Sequence, residues 1–215
     1  AKEMEEILKI PGVGVIGGCC GTTPEHIRAA WDVAATQIEG AEQSADNAAE
    51  MKNITLVASS QMFLDISDGD FELGMSIDAS QDEDLLADLQ DGFVDSVMDL
   101  ADEDADDGAE ILNIKLSGED VDEPQMMKQA IIELQNLNML PLSIQSTDPE
   151  AVREALRIVN GKAMVNLTDA DAVQIESVLP VVKKYGAVVF AQEAQKEDVT
   201  ALAKEAGIAC RELIF

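Results

Sequence analysis

Along the second half of the chain, short apolar runs alternate with longer stretches whose apolar residues recur every three or four positions. Glu110–Leu116, Pro141–Ser146, Ala163–Leu167, Ala187–Ala191 and Arg211–Phe215 read as buried strands. Glu123–Asn136, Pro149–Val159, Ala172–Tyr185 and Lys196–Ala206 have the period of helices. Asp148 stands where an N-cap would precede Pro149, and the helix from Ala172 must accommodate Pro180. Unbroken apolar strands, each followed by a helix, imply an α/β fold with a parallel sheet. A repeat of roughly 25–30 residues suits a barrel or a doubly wound sheet. No Gly-x-Gly-x-x-Gly loop follows any strand, which argues against a dinucleotide fold.

The first half has a different pattern. Met4, Ile7 and Leu8 fall at helical spacing until Pro11-Gly12 ends the run. Val13–Ile16 reads as a short buried strand, Gly17-Gly18-Cys19-Cys20-Gly21 as a turn, and Thr23-Pro24 as the cap and first position of a helix reaching about Ile38. Glu39–Glu50 is small, polar and Ala-rich. Ile54–Ser60 and Met62–Ile66 read as a hairpin, and Phe71–Ile77 as a further strand. Asp84–Asp107 reads as one long acidic helix with a stripe of Leu85, Leu86, Leu89, Phe93, Val97 and Leu100, closed by Gly108. The pattern divides into 1–38, a linker at 39–51, and 52–215. The first residues read as the end of a helix, the last as the beginning of a strand. Fewer than eight βα units are present, so a piece of a longer protein is expected.

Charge changes the picture. The 215 residues carry a net charge of -29, and Lys115 is the only basic residue between Asp65 and Glu123. Such a field repels nucleic acid and anionic membranes. It suits a solvated surface screened by high salt, or a docking face for a basic partner. No apolar run approaches the ~18 residues of a membrane span. Three cysteines are too few for a disulfide framework, and Cys19 and Cys20 are neighbours, which points to a reducing cytoplasm.

The cysteine pair is the first candidate for chemistry. Zinc binds thiolates because it is borderline soft and holds the sulfur deprotonated. Adjacent cysteines can face one ion where glycines let the backbone turn sharply, and Gly17, Gly18 and Gly21 flank them. A catalytic site needs a third protein ligand and an open position for substrate. The pair reads equally as two apolar cysteines packed behind a helix. His26, the only histidine, suits a cap or surface role better than a ligand role.

Val15-Ile16-Gly17-Gly18-Cys19-Cys20-Gly21-Thr22-Thr23-Pro24-Glu25-His26-Ile27-Arg28 resembles the last strand and helix of the homocysteine-binding barrel of cobalamin-dependent methionine synthases and related homocysteine S-methyltransferases. The resemblance implies zinc-ligand roles for Cys19 and Cys20, with the third cysteine in an earlier part of that barrel. Residues from about Lys52 to Phe215 resemble the first half of the pterin-binding barrel that follows in methionine synthases, a dihydropteroate-synthase-like TIM barrel. Gly108-Ala109-Glu110-Ile111-Leu112, Val121-Asp122-Glu123-Pro124-Gln125-Met126-Met127, Asn160-Gly161-Lys162-Ala163-Met164-Val165-Asn166 and Val181-Val182-Lys183-Lys184-Tyr185-Gly186-Ala187 carry it. The implied fold is a partial TIM barrel of β-α repeats, preceded by the last βα unit of a homocysteine-binding barrel. The implied chemistry is methyl transfer from methyltetrahydrofolate, through cobalamin on a corrinoid-binding domain or protein outside this chain, to zinc-activated homocysteine.

The pterin-binding positions depart from the family pattern. Gly74-Met75-Ser76-Ile77-Asp78 stands for Gly-Glu-Arg-Ile-Asn, Asn113-Ile114-Lys115 for Asp-x-Asn, and Gln145 for an Asp, while Asn166 is kept. Asp78, Asn113, Gln145 and Asn166 are therefore the pterin-binding candidates. Asn113 and Gln145 still hydrogen-bond but carry no charge, and Lys115 adds a cation where an amide is expected. The resemblance thus leaves two readings, a methyltransferase fragment and a diverged, non-catalytic barrel serving as a scaffold or docking module.

Overall fold

The computed structural model describes residues 2–10, 13, 15–38, 54–137 and 140–215. The chain separates into two compact units, residues 1–50 and 51–215. The linker assigned to 39–51 lies outside the described residues.

In the first unit, α1 (Lys2–Ile7) and α2 (Pro24–Ile38) flank an irregular segment. The strand expected at Val13–Ile16 does not form: its described residues are irregular, and Val15 is 92% exposed. A strand needs a neighbour to take its backbone groups, and no strand of this unit is described.

The second unit opens with an antiparallel hairpin, β1 (Leu56–Ala58) and β2 (Phe63–Asp65), as its alternation predicts. After β3 (Leu73–Gly74), the predicted long helix is two helices, α3 (Glu83–Asp91) and α4 (Asp95–Asp106). Gly92 breaks it by adopting φ 86°, so that its N–H reaches Leu89 O and the Phe93 N–H reaches Asp88 O. Phe93, assigned to the buried stripe, is consequently 58% exposed. Regular alternation follows: β4 (Ile111–Ile114), α5 (Glu123–Leu137), β5 (Leu142–Gln145), α6 (Pro149–Ile158), β6 (Met164–Asn166), α7 (Ala172–Tyr185), β7 (Val188–Phe190), α8 (Lys196–Glu205) and β8 (Leu213–Ile214). Asp148 caps α6 as expected, and Asp171 with Gln174 forms a capping box on α7.

Strands β3 to β8 form one parallel sheet in sequential order. Parallel crossovers are right-handed, so a chain that always steps the same way lays its helices on one face. That topology curls the sheet into half a barrel rather than a doubly wound sandwich. Alternation sorts the residues. Leu112, Ile114, Leu142, Ile144, Val165, Val189 and Leu213 pack among the helices. The inward set at the strand starts, Ile111, Met164 and Val188, joins Val57 and Ile66 of the hairpin region in a second apolar cluster.

Candidate functional site

The next inward positions toward the strand ends are polar. Asn113 pairs with Ser143, and one register further on Gln145 pairs with Asn166. An isolated bridge sets Asp78 beside Lys115. The C-terminal ends of β4, β5 and β6 therefore bring all four pterin-binding candidates to one edge, where barrel enzymes carry their sites.

Asp78 reaches this row through a bulge. Two residues lie between Leu112 and Lys115, but three lie between Gly74 and Asp78. The extra residue turns Ile77 toward the helices and Asp78 inward. The buried Asp104 of α4 holds the bulge. Its carboxylate accepts from the Ser76 N–H at 3.1 Å and from the Ser76 hydroxyl at 2.6 Å. Gly74 is required beneath it, because a Cβ there would lie 2.6 Å from Asp104 Oδ2. The acidic helix thus has a structural task in one of its carboxylates, which its polar appearance in the sequence concealed.

The amides bind one another. Asn113 Nδ2 donates to Gln145 Oε1 at 2.7 Å, while Asn113 Oδ1 accepts from Ser143 Oγ and Asn166 Nδ2, each at 3.0 Å. Asn166 Oδ1 accepts from the Thr168 hydroxyl at 2.7 Å. Gln145 Nε2 donates to Asp169 Oδ2 at 2.8 Å, and Lys115 Nζ donates to the same oxygen at 2.9 Å. Lys115 also lies 3.3 Å from Asp78 Oδ2, whose partner oxygen is held by Ser80. Burial pulls the Lys115 ammonium down, but the hydrogen bond to Asp169 and the charges of Asp78 and Asp169 outweigh it and hold the pKa above the ordinary lysine value.

Above the network is a cavity of about 240 Å³ lined by Lys115, Gln145, Ser146, Asn166, Asp169 and Gln174, among others. Glu123, in the first turn of α5, hydrogen-bonds Ser146 at its edge. Burial first, and the neighbouring Asp148 charge after it, raise the Glu123 pKa against that bond, and its Oε1 has no partner. Asp169, Asp104 and Glu123 do not stand out in the sequence as parts of this arrangement. The only signal for Asp169 was its place just past the end of a βα strand.

Cys19 and Cys20 lie in the first unit at a tight turn. The Thr22 N–H donates to Cys19 O at 2.9 Å, and Gly21 takes φ 84° at the third position, which glycine favours. The Cys19 N–H donates in return to Thr22 Oγ1 at 3.0 Å. Both cysteines are free and exposed, so they are not the buried apolar pair considered as the alternative. His26 Nδ1 accepts from the Thr23 N–H at 3.1 Å and so caps α2. Among the described residues no three or more His, Cys, Asp or Glu side chains gather as a metal site. Two thiolates have the right donor chemistry for zinc but fill only half of a tetrahedral shell.

Residues 1–34 match the homocysteine S-methyltransferase family. That stretch contains the cysteine turn, and the resemblance read from the sequence is met there. Solved structures similar to the chain include dihydropteroate synthase of Xanthomonas albilineans with 4-aminobenzoic acid (17% identity, TM-score 0.48, covering 74% of this chain and 65% of that one). Another is the Thermus thermophilus enzyme in complex with 6HMPPP (17%, TM-score 0.43, 71% and 60%). A third is the Stenotrophomonas maltophilia enzyme with bound imidazole (18%, TM-score 0.38, 54% of each). The chain spans less than two thirds of each of these proteins. The half-barrel assignment rests on the strand order. Among the described residues no helix is long and apolar enough to cross a membrane.

Proposed function

We propose that this chain is part of a methyl-transferring protein, in which residues 54–215 receive a pterin-type methyl donor and residues 1–38 belong to the site of a homocysteine-type thiol. The observation that carries this reading is the convergence of Asp78, Asn113, Gln145 and Asn166 on one network beneath a polar cavity at the C-terminal ends of the strands. A buried flat heterocycle requires each of its donors and acceptors to be paired, and amides supply both. The match of residues 1–34 supports the thiol half. Methyltetrahydrofolate is the donor in this reading, homocysteine the acceptor, and cobalamin on a corrinoid-binding domain or protein outside the chain the carrier. Zinc enters only through Cys19 and Cys20, and a further ligand has to come from elsewhere. The exposed, unpaired cysteines suit a reducing cytoplasm.

Calorimetric titration of the chain with methyltetrahydrofolate tests the donor half. Micromolar binding that disappears in Asn166→Leu is the expected result, and no heat at millimolar ligand would overturn it. One observation favours a second reading, that of a non-catalytic scaffold. The amide oxygens of Asn113 and Gln145 each already accept two internal bonds, so the network is satisfied without a ligand. A folded chain that binds no pterin would support that reading.

A further inference from the structure

Two donors lining the cavity converge on one carboxylate oxygen. Asp169 Oδ2 receives both Lys115 Nζ and Gln145 Nε2, at 2.9 and 2.8 Å. The two donors are fixed from below: Lys115 is 18% exposed and Gln145 is buried within the amide network. Their acceptor is not, since the Asp169 side chain is 55% exposed.

The turn that carries Asp169 is anchored on both sides of it. The Ala170 N–H donates to Leu167 O at 3.1 Å, Gln192 Nε2 to Thr168 O at 2.8 Å, and Gln195 Nε2 to Ala170 O at 2.8 Å. Asp169 can therefore leave by rotating its own side chain, with no movement of the backbone. Its departure would strip the buried Gln145 N–H of a partner and leave Lys115 with Asp78 alone. Orphaning a buried donor is costly, and more so beside a charge. Only an arriving group that offers an anionic oxygen at the same place restores both bonds and the charge balance.

We propose that Asp169 is an internal stand-in for a carboxylate of the ligand, and that the seat between Lys115 and Gln145 is a carboxylate-binding subsite. Asp169 competes for that seat and so sets the affinity for carboxylate-bearing ligands. The inference rests on the reading that this cavity is the ligand site, but not on the ligand being a pterin. Lys115, the only basic residue between Asp65 and Glu123, gains a role that its intrusion into an amide position did not suggest.

The test titrates the full chain with benzoate, and separately with 6-hydroxymethylpterin, which has no carboxylate. Binding is followed through the side-chain amide resonances of Gln145. Asp169→Ala, at an exposed position, is expected to bind benzoate at least tenfold more tightly than the unchanged chain. Asp169→Asn is expected to fall between them. Lys115→Gln in the Asp169→Ala background is expected to abolish binding. Equal benzoate affinity with and without Asp169, binding that survives Lys115→Gln, or no benzoate binding to any variant would each overturn the proposal. The pterin titration reports on the donor site independently, so failure of either reading is seen separately.

Discussion

At the starts of β4, β6 and β7 the inward side chains are Ile111, Met164 and Val188, sealed against Val57 and Ile66 of the hairpin region. At the ends of β4, β5 and β6 they are Asn113, Gln145 and Asn166, joined by hydrogen bonds under an open cavity. One sheet and one alternation serve both ends, with β4 and β6 contributing to each, and only the chemistry of the inward positions changes. The apolar end gains from burial at any geometry that excludes water, and so tolerates small shifts. The polar end gains only where each donor meets its acceptor, and so fixes positions. A barrel half built this way divides its chemistry, with apolar burial at the strand starts and a hydrogen-bonded polar network at the strand ends.

The sharpest way to break the closed end is at Gly161. It takes φ 143°, and a Cβ there would fall inside contact distance of the Ala58 carbonyl oxygen. That close approach lets Ala58 and Lys162 exchange backbone hydrogen bonds, both 2.9 Å, which tie the hairpin to the start of β6. Gly161→Ala is expected to cost about 3 kcal/mol of stability, as a strained φ combined with a backbone clash. Urea denaturation measures it. A loss below about 1 kcal/mol would mean that the hairpin is not a structural part of the sheet.

The open end responds to Asn113→Leu. Leucine fills similar space but leaves one Gln145 acceptor bond unmade, and deprives Ser143 and Asn166 of an acceptor. Each unpaired buried group costs about 1–3 kcal/mol, partly offset by apolar burial, so a net loss of about 2 kcal/mol is expected. Adding Ser143→Ala should then cost less than it does alone, because its partner is already gone. Additive losses would show that the amides are independent contacts rather than a network.

These two ends were unequally legible in the sequence. The β-α alternation and the Asp148 cap were readable because local pattern and tertiary burial agree there. Asn113, Gln145 and Asn166 were legible through the resemblance, which places them at the family's pterin-binding positions. The split between α3 and α4 was not readable, because Leu85, Leu89, Phe93 and Val97 keep a spacing of four through Gly92. The Val13–Ile16 run failed for the opposite reason, since local propensity without a neighbouring strand makes no sheet. Asp169 and Asp104 lie in a polar turn and an acidic helix, where composition gives no reason to prefer one carboxylate over the next. Their roles follow from which strand end each one faces.

Lys115 sharpens the contrast through pH. Its folded pKa is raised, so its ion pairs stabilise the fold fully below the ordinary lysine value of 10.5 and are lost as pH rises through the folded value. Lys115→Met is therefore expected to lose about 1 kcal/mol at neutral pH, the Asp169 arm being partly solvated. The gap to the unchanged chain should stay constant up to about pH 10 and close above it. Chemical denaturation between pH 7 and 11 measures it, and a gap that widens with pH would reverse the assigned sign.

Glu123 gives the smallest effect and the opposite lesson. Burial and the Asp148 charge raise its pKa above the ordinary value of 4.5, so here ionisation works against the fold. A carboxyl whose folded pKa is raised contributes stability fully below 4.5, and that contribution disappears as pH rises through the folded value. Glu123→Gln keeps the shape and removes the charge. It is expected to match the unchanged chain in acid and to become more stable as pH climbs, by less than about 1 kcal/mol because partial exposure screens the charge. A stabilised variant would show that the edge of the cavity holds a carboxylate against its own stability, as sites kept for binding do. A destabilised variant at neutral pH would instead make Glu123 an ordinary part of the helix start, and the cavity edge would then follow the rule of the closed end.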